Sequence, residues 1–331
     1  MATKEILMDG DKVCIAWFKK KIKKFILTTD VEPVEGGTIT GAGTYDEGTV
    51  VPVEAIPNEG WEFDHWGGEF NIGMGTYASW DSDVDTLISN GFTELRMDIP
   101  SYESIDWVAR SKNGVISAID KGARIIWGVS TGAGLTAANW AAYRQAVLDV
   151  AQWAQDNGVF EFQLGNELEY QIDNDTLVLT QLIANLKSLA TDVQAIFTNG
   201  NISYSSVDTY VTQGKWIESG RGDIDILACN IYKGGASEPY NYDYQKRIKS
   251  LMDKFGADHF YLTEFAPSYK ALEHYNPDEA VQATAVTEIL NYIKSIGMKR
   301  AIFYCLKDDP PHQFGAIKTD GTYRELWYSL L

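Results

Sequence analysis

Cysteine is scarce in this chain, which has three such residues, Cys14, Cys229 and Cys305, among 331. Their number is odd, they lie far apart, and none forms the short C-x-x-C spacing of a zinc or redox site. The pattern therefore argues against a metal or redox centre, and no cofactor is expected. We expect the three cysteines to behave as small buried apolar residues.

Positive charge is also in short supply, because 28 lysine and arginine residues stand against 46 aspartate and glutamate residues, giving a net charge of −18. Binding phosphates requires a concentrated positive surface, so nucleic acid and anionic membranes are disfavoured as partners. A neutral polysaccharide is compatible. One basic run at 19–24 could hold a polyanionic cell-wall polymer or form a solvated edge against strand stacking, and we favour the solvated edge.

Long apolar runs are missing as well. No stretch approaches the roughly 18 residues needed to cross a bilayer, so no membrane span is expected. The opening residues, Met-Ala-Thr-Lys-Glu, lack the hydrophobic stretch of a secretory signal. The length allows one large domain or two unequal ones.

From about residue 70 onward, segments typical of strands alternate with segments typical of helices. Amphipathic stretches such as 137–157, 174–195 and 277–296 separate apolar strands. Eight strands are predicted, at 71–75, 92–99, 123–129, 160–166, 201–207, 225–232, 260–265 and 300–306. Eight successive βα units predict an α/β fold, a closed (β/α)8 TIM barrel over 69–331.

Residues 1–68 have a different character, because Thr- and Val-rich runs alternate with turn signals at 35–37 and 58–60. This predicts a small all-β domain. A strand-like segment at 5–18 would form an aggregation-prone edge if it stayed unpaired, so we expect it to complete the sheet formed by 25–68.

Two glutamates stand where apolar strands give way to loops. Glu167 ends the fourth predicted barrel strand and Glu264 ends the seventh. Catalytic groups of a (β/α)8 barrel lie at this end of the strands. Cleavage of an acetal at neutral pH needs one carboxyl that stays protonated and another that stays ionised. The pair therefore predicts a glycosidase.

The small domain resembles the bacterial surface repeats of internalin-B type, in the strings Gly43-Thr44-Tyr45-Asp46-Glu47-Gly48-Thr49 and His65-Trp66-Gly67-Gly68. The resemblance implies an extracellular or cell-surface protein. It also leaves open contact between the N-terminal domain and a cell-wall polymer.

The barrel resembles the clan A retaining glycoside hydrolases in an Asn-Glu pair on strand four, Asn166 and Glu167, and in Glu264 on strand seven. Arg96 matches the strand-two arginine that orients the nucleophile, and Tyr232 matches the strand-six tyrosine that hydrogen-bonds it. The resemblance implies that Glu264 is the nucleophile, that Glu167 is the acid/base, and that Asn166 contacts the sugar 2-hydroxyl. Both Arg96 and Tyr232 favour the ionised form of Glu264.

This resemblance implies an endo-acting β-glycanase, such as a cellulase or mannanase, that works by double displacement. A retaining mechanism predicts carboxyl groups about 5 to 5.5 Å apart, against roughly 6.5 to 9.5 Å for inversion. The chain departs from the family-5 cellulases, because Leu168 follows the acid/base in place of proline and Asn230 precedes the strand-six tyrosine in place of histidine.

Aromatic side chains near the strand ends are candidates for stacking on sugar rings. The eighth strand lacks the tryptophan that commonly floors the cleavage subsite, and Phe303 or Tyr304 is expected to replace it. The other candidates are Trp80, Trp127, Tyr170, Tyr269 and Phe314.

Two other functions are compatible with the sequence. A non-catalytic carbohydrate-binding or surface-adhesion protein is suggested by the N-terminal repeat and the missing tryptophan. It would show carboxyls more than about 10 Å apart or a plugged pocket. An exo-acting β-glycosidase would instead have a blind pocket where an endo-enzyme has an open cleft.

Overall fold

The chain divides into two compact units, Met1–Gly67 and Gly68–Leu331. The computed structural model describes residues 24–27, 29, 31, 34–46, 49, 51–62, 71–76, 81–97, 99–172, 177–207, 209–232, 244–266, 279–307, 315–318 and 321–330. No helix within these ranges is both long and apolar enough to cross a membrane.

The smaller unit contains four short strands in its described part: β1 (Lys24–Leu27), β2 (Gly37–Thr40), β3 (Gly43–Asp46) and β4 (Glu54–Pro57). Strand β1 pairs with β3, and β2 pairs with β4, both antiparallel. Half-buried and exposed residues alternate along β2 and β3, as expected when one face of a sheet is covered. The predicted all-β character is confirmed, whereas the expectation for 5–18 lies outside the described residues.

The larger unit is a closed barrel of eight parallel strands. Its strands are β5 (Asn71–Thr76), β6 (Glu94–Met97), β7 (Arg124–Gly128), β8 (Glu161–Asn166), β9 (Asn201–Ser206), β10 (Ile226–Tyr232), β11 (Phe260–Ala266) and β12 (Arg300–Phe303). The described helices are α1 (Asp81–Ser89), α2 (Ile105–Asp120), α3 (Trp140–Asp156), α4 (Leu179–Gln194), α5 (Tyr210–Ser219), α6 (Tyr244–Phe255), α7 (Glu279–Ser295) and α8 (Glu325–Leu330). The predicted (β/α)8 barrel is confirmed.

Side chains alternate along each strand between the lumen of the barrel and the outer core beneath the helices. A small apolar cluster fills the lumen: Ile126, Ile226, Ala228, Tyr261 and Ile302. The alternate positions face the helices and join the main core between strands and helices. The helices contribute apolar stripes at helical spacing, as in α4, where the buried side chains are Leu182, Ile183, Leu186, Leu189, Ala190 and Val193.

Charged side chains close the amino-terminal end of the lumen, opposite the end where βα loops emerge. Arg300 donates to Glu94 at 2.9 Å and also pairs with Glu161, and its guanidinium lies 3.8 Å from the centre of the Tyr261 ring. The Tyr261 hydroxyl donates to Glu161 at 2.7 Å. Burial raises the pKa of Glu94, and the charge of Arg300 opposes that rise. We call these residues, Glu94, Glu161, Tyr261 and Arg300, the barrel floor.

Gly128, at the end of β7, has no room for a side chain. A Cβ there would lie 1.8 Å from the carbonyl oxygen of Gln163 on the neighbouring strand. We expect Gly128→Ala to lower the free energy of unfolding by about 1–3 kcal/mol or more, because strands β7 and β8 must separate to admit the methyl group.

Gly214, on the exposed side of α5, provides the matched control, since a Cβ there would meet nothing within 4 Å. Gly214→Ala is expected to keep or raise stability, because alanine favours a helix over glycine by about 1 kcal/mol. Denaturant midpoints of the two variants measure the difference. Equal midpoints would show that the barrel tolerates a side chain at Gly128.

Candidate active site

Arg96 occupies the centre of a polar layer at the loop end of the lumen. It projects inward from β6, and its side chain is 6% exposed. Its guanidinium donates three hydrogen bonds: to Glu264 at 2.8 Å, to Asn166 at 2.8 Å and to Gln163 at 2.9 Å. A bonded, buried ion pair of this kind fixes the orientation of the Glu264 carboxylate.

Two asparagines extend this layer. The Asn166 side-chain oxygen accepts from Arg96 and also from the Asn230 amide, at 3.2 Å. The Asn230 oxygen lies 2.8 Å from the hydroxyls of both Ser205 and Thr263. Since the oxygens of both amides are engaged, their NH₂ groups are oriented as donors.

Glu167 follows β8 directly and belongs to the same layer. Burial raises the pKa of Glu167 from 4.5 to about 8, and the nearby negative charge of Glu264 acts in the same direction. A hydrogen bond from Asn230 and the charge of Arg96 oppose the rise. One carboxyl is therefore held against a guanidinium while its neighbour keeps a proton at neutral pH.

The raised pKa of Glu167 makes stability depend on pH. Between about pH 4.5 and 8 the folded chain retains a proton that the unfolded chain releases, so this contribution to stability is full below about 4.5 and is lost as the pH rises through about 8. Glu167→Gln is always neutral. We expect it to match the wild type in melting temperature near pH 4 and to exceed it near pH 9.

Glu218 supplies the control for this comparison, because its side chain is 71% exposed on α5. Glu218→Gln should show no comparable gain at high pH, and its melting curves are recorded in the same buffers. A difference between Glu167→Gln and wild type that stays constant from acid to alkaline pH would contradict the raised pKa.

Irregular strand pairing occurs where the polar layer forms. The register shifts between Gln163 and Asn166 in β8, between Cys229 and Asn230 in β10, and between Leu262 and Phe265 in β11. Such irregularities turn side chains away from the regular alternation and are frequent next to active sites. They lie directly beside Glu167, which follows β8, and at Glu264, which stands two residues before the end of β11 and not at its end as predicted.

The structure brings together Arg96, Asn166, Glu167 and Glu264, and their catalytic and sugar-binding roles stay predictions. Tyr170 lies three residues beyond Glu167, and 64% of its surface is exposed. Tyr232 is the last residue of β10, and its backbone pairs with that of Ala266. Its side chain lies outside the described part of the structure. Three further candidates, Trp80, Tyr269 and Phe314, lie outside the described residues.

Two predicted sugar contacts are wrong. Trp127 is fully buried on the helix side of β7, where its indole donates to Ser111 at 2.7 Å and packs edge-on against Trp153. Phe303 is fully buried against Phe265. Both occupy outward positions in the strand period, so neither faces the lumen. Tyr304, the alternative to Phe303, is partly exposed.

Several polar residues of the site were missed. Gln163, Ser205 and Thr263 lie at buried lumen positions of β8, β9 and β11, and polar residues at such inward positions near the loop ends of strands were the available signal. Glu169 was missed because it follows the strand and carries no motif of its own.

The eight-stranded barrel is the fold of many glycoside hydrolases. Residues 27–86 match the family described as the Divergent InlB B-repeat domain, which confirms the resemblance found in the small domain. No curated protein matches the chain by sequence.

Three solved glycoside hydrolases illustrate the structural similarity. The exo-β-1,4-mannosidase Op5Man5 from Opitutaceae bacterium strain TAV5 has 15% identity and a TM-score of 0.60 over 79% of this chain, which spans 58% of that protein. PbGH5A, a family 5 enzyme from Prevotella bryantii B14, has 13% identity and a TM-score of 0.59, with 78% of this chain and 94% of that chain covered. A GH10 endoxylanase from a sugarcane soil metagenome has 13% identity and a TM-score of 0.58, with 79% and 96% covered. At these identities the likeness establishes the fold alone.

Proposed function

We propose that this protein is a retaining glycoside hydrolase that cleaves β-linked polysaccharides at internal bonds of the polymer. The observation that carries the proposal is the contrast between two neighbouring glutamates. Arg96 binds Glu264 at 2.8 Å, while burial keeps Glu167 protonated at neutral pH. This is the division of roles that double displacement requires.

In the first step, a carboxylate oxygen of Glu264 attacks the anomeric carbon and forms an ester. The bond to the departing sugar oxygen breaks, and that oxygen takes the proton of Glu167. In the second step, the ionised Glu167 removes a proton from water, the water oxygen attacks the anomeric carbon, and Glu264 is released. Two inversions give net retention of configuration.

The two asparagines orient the reacting sugar and the acid/base. Because the Asn166 oxygen is engaged by Arg96 and Asn230, its NH₂ group donates to the sugar hydroxyl beside the anomeric carbon. The exposed Tyr170 offers a face for the neighbouring sugar. Sugar contacts by Trp80, Tyr232, Tyr269, Tyr304 and Phe314 belong to the same proposal.

The substrate is a neutral polysaccharide or oligosaccharide met outside the cell or at its surface. The net charge of −18 and the InlB-type repeat support this assignment. Nucleic acid is not a partner in this proposal, and a cell-wall polymer is a further candidate ligand of the small unit.

Product analysis on cellulose, mannan, xylan and β-1,3-glucan tests the proposal. We expect one of these polymers to yield short oligosaccharides with a rapid fall in viscosity. Proton NMR of the first product should show the β-anomer before mutarotation. Release of single sugars without loss of viscosity would indicate exo-action, an initial α-anomer would indicate inversion, and binding without turnover would indicate a carbohydrate-binding protein.

A further inference from the structure

The backbone turns sharply at Glu167. This residue has φ 51° and ψ 37°, and it is the one non-glycine residue with positive φ among the described residues. A glutamate in this left-handed region is unfavourable unless its surroundings hold it there. The conformation of the proposed acid/base therefore depends on neighbouring groups.

Hydrogen bonds fasten this turn to strand β9. The Glu167 N–H donates to the Ser205 carbonyl at 2.8 Å, and the Leu168 N–H donates to the Tyr204 hydroxyl at 3.1 Å. The Tyr170 N–H closes the turn by donating to the Glu167 carbonyl at 3.0 Å. The Leu168 side chain is fully buried, so the turn is held by packing as well as by polar contacts.

Glu169 anchors the same turn through its carboxylate. One oxygen accepts from the Tyr204 hydroxyl at 2.7 Å, and the other accepts from Ser206 at 2.8 Å and from the Trp216 indole at 3.2 Å. Burial raises the pKa of Glu169. Tyr204 and Trp216 lie between β9 and α5, with ring centres 5.6 Å apart, so Glu169 is anchored on the helix side of the sheet.

Tyr204 connects the two sets of contacts. Its hydroxyl accepts from the Leu168 backbone and donates to Glu169, so a single oxygen joins both residues that follow Glu167. A loss of the Glu169 carboxylate would release the Tyr204 hydroxyl and, with it, the backbone beside Glu167.

We propose that Glu169, bound by Tyr204, Ser206 and Trp216, is a positioning residue that holds Glu167 in the geometry for proton transfer to the departing sugar oxygen. The inference rests on the proposed function. Glu169 does not touch the reacting atoms and acts through the turn 167–170. Small displacements of a catalytic group reduce rates strongly, because proton transfer requires hydrogen-bond reach.

The test compares two substrates that differ in their need for an acid. The phenolate of a phenyl glycoside leaves slowly unless its oxygen is protonated. The dinitrophenolate of a dinitrophenyl glycoside leaves without receiving a proton. With the sugar that the wild type accepts, we expect Glu169→Gln and Tyr204→Phe to lower kcat/KM for the phenyl glycoside by about tenfold or more and for the dinitrophenyl glycoside by no more than about twofold. Glu218→Gln on α5 is the control, and it should leave both values unchanged.

The ratio of the two rates is independent of the folded fraction, so partial unfolding does not imitate the expected result. If Glu169→Gln yields no protein, Ser206→Ala removes one donor and is judged by the same ratio. The role of Glu169 would be overturned if the wild type cleaves both substrates and the variants lose both rates equally or lose neither. The proposed function would remain intact in that case. A wild type that cleaves no glycoside would instead refute the proposed function.

Discussion

Replacing Glu264 by alanine is expected to lower polysaccharide hydrolysis by about 10⁴-fold or more, the largest effect expected from any single substitution in this chain. In the proposed mechanism no ester can form at the anomeric carbon without this carboxylate, so the double displacement would stop at its first step. The measurement is initial rate on the preferred polymer and on an aryl β-glycoside of the same sugar.

Azide distinguishes a missing nucleophile from a damaged fold. A small anion can enter the space left by Glu264 and attack the anomeric carbon once, which gives an α-glycosyl azide. Glu264→Gln is the matched variant, because its amide oxygen can still accept from Arg96 while it leaves no room for the anion. Substantial hydrolysis of the aryl glycoside by folded Glu264→Ala without azide would contradict the nucleophile assignment.

Replacing Glu167 by alanine is expected to have the second largest effect, and its size should depend on the leaving group. Hydrolysis of the polymer and of phenyl glycosides should fall by about 10² to 10⁴-fold, the usual contribution of a general acid. Formation of the ester from a dinitrophenyl glycoside should stay close to the wild-type rate, because that leaving group needs no proton. A burst of dinitrophenol before slow turnover would report it.

The pH profile provides an independent readout for Glu167. The wild type should lose kcat/KM as the pH rises through about 8, because the acid form of Glu167 disappears there. Glu167→Ala should lose this alkaline limb, and azide should accelerate its turnover and give a β-glycosyl azide. An alkaline limb near 8 that persists in Glu167→Ala would assign the acid to another residue.

The barrel could be predicted from the sequence because each βα unit repeats the same pattern of apolar strand and amphipathic helix. All eight strands occur where they are predicted; for example, 201–207 corresponds to β9 (Asn201–Ser206). The boundary between the domains at 68 stays a prediction, since residues 63–70 lie outside the described residues.

The positions of the two glutamates near the loop ends of β8 and β11 could be predicted, because each lies in a short local sequence with strand character. Their catalytic roles stay predictions. It was harder to predict which aromatic residues contact a sugar, because aromatic residues occur both in the hydrophobic core and in binding clefts. The predictions for Trp127 and Phe303 are wrong for the same reason. Ile126 in β7 and Ile302 in β12 face the lumen, so the adjacent residues Trp127 and Phe303 must face the helices.

The anchoring of Glu167 could not be predicted at all. The contacts of Glu169 come from β9 and α5, which are 35 to 47 positions away in the chain. No local pattern specifies that these three side chains meet one carboxylate. Likewise, the left-handed backbone at Glu167 follows from tertiary contacts, since glutamate has no local preference for it.

The barrel floor and the two glutamates of the proposed site occupy opposite ends of one lumen, and the aliphatic members of the apolar cluster separate them. Substitutions at the floor are therefore expected to change thermal stability without changing the proposed active site. Exchanging the buried ions there together for well-packed apolar side chains is often neutral or favourable, whereas removing one partner leaves an isolated charge. The floor is thus the place to begin when greater resistance to heat is wanted with the proposed active site unaltered.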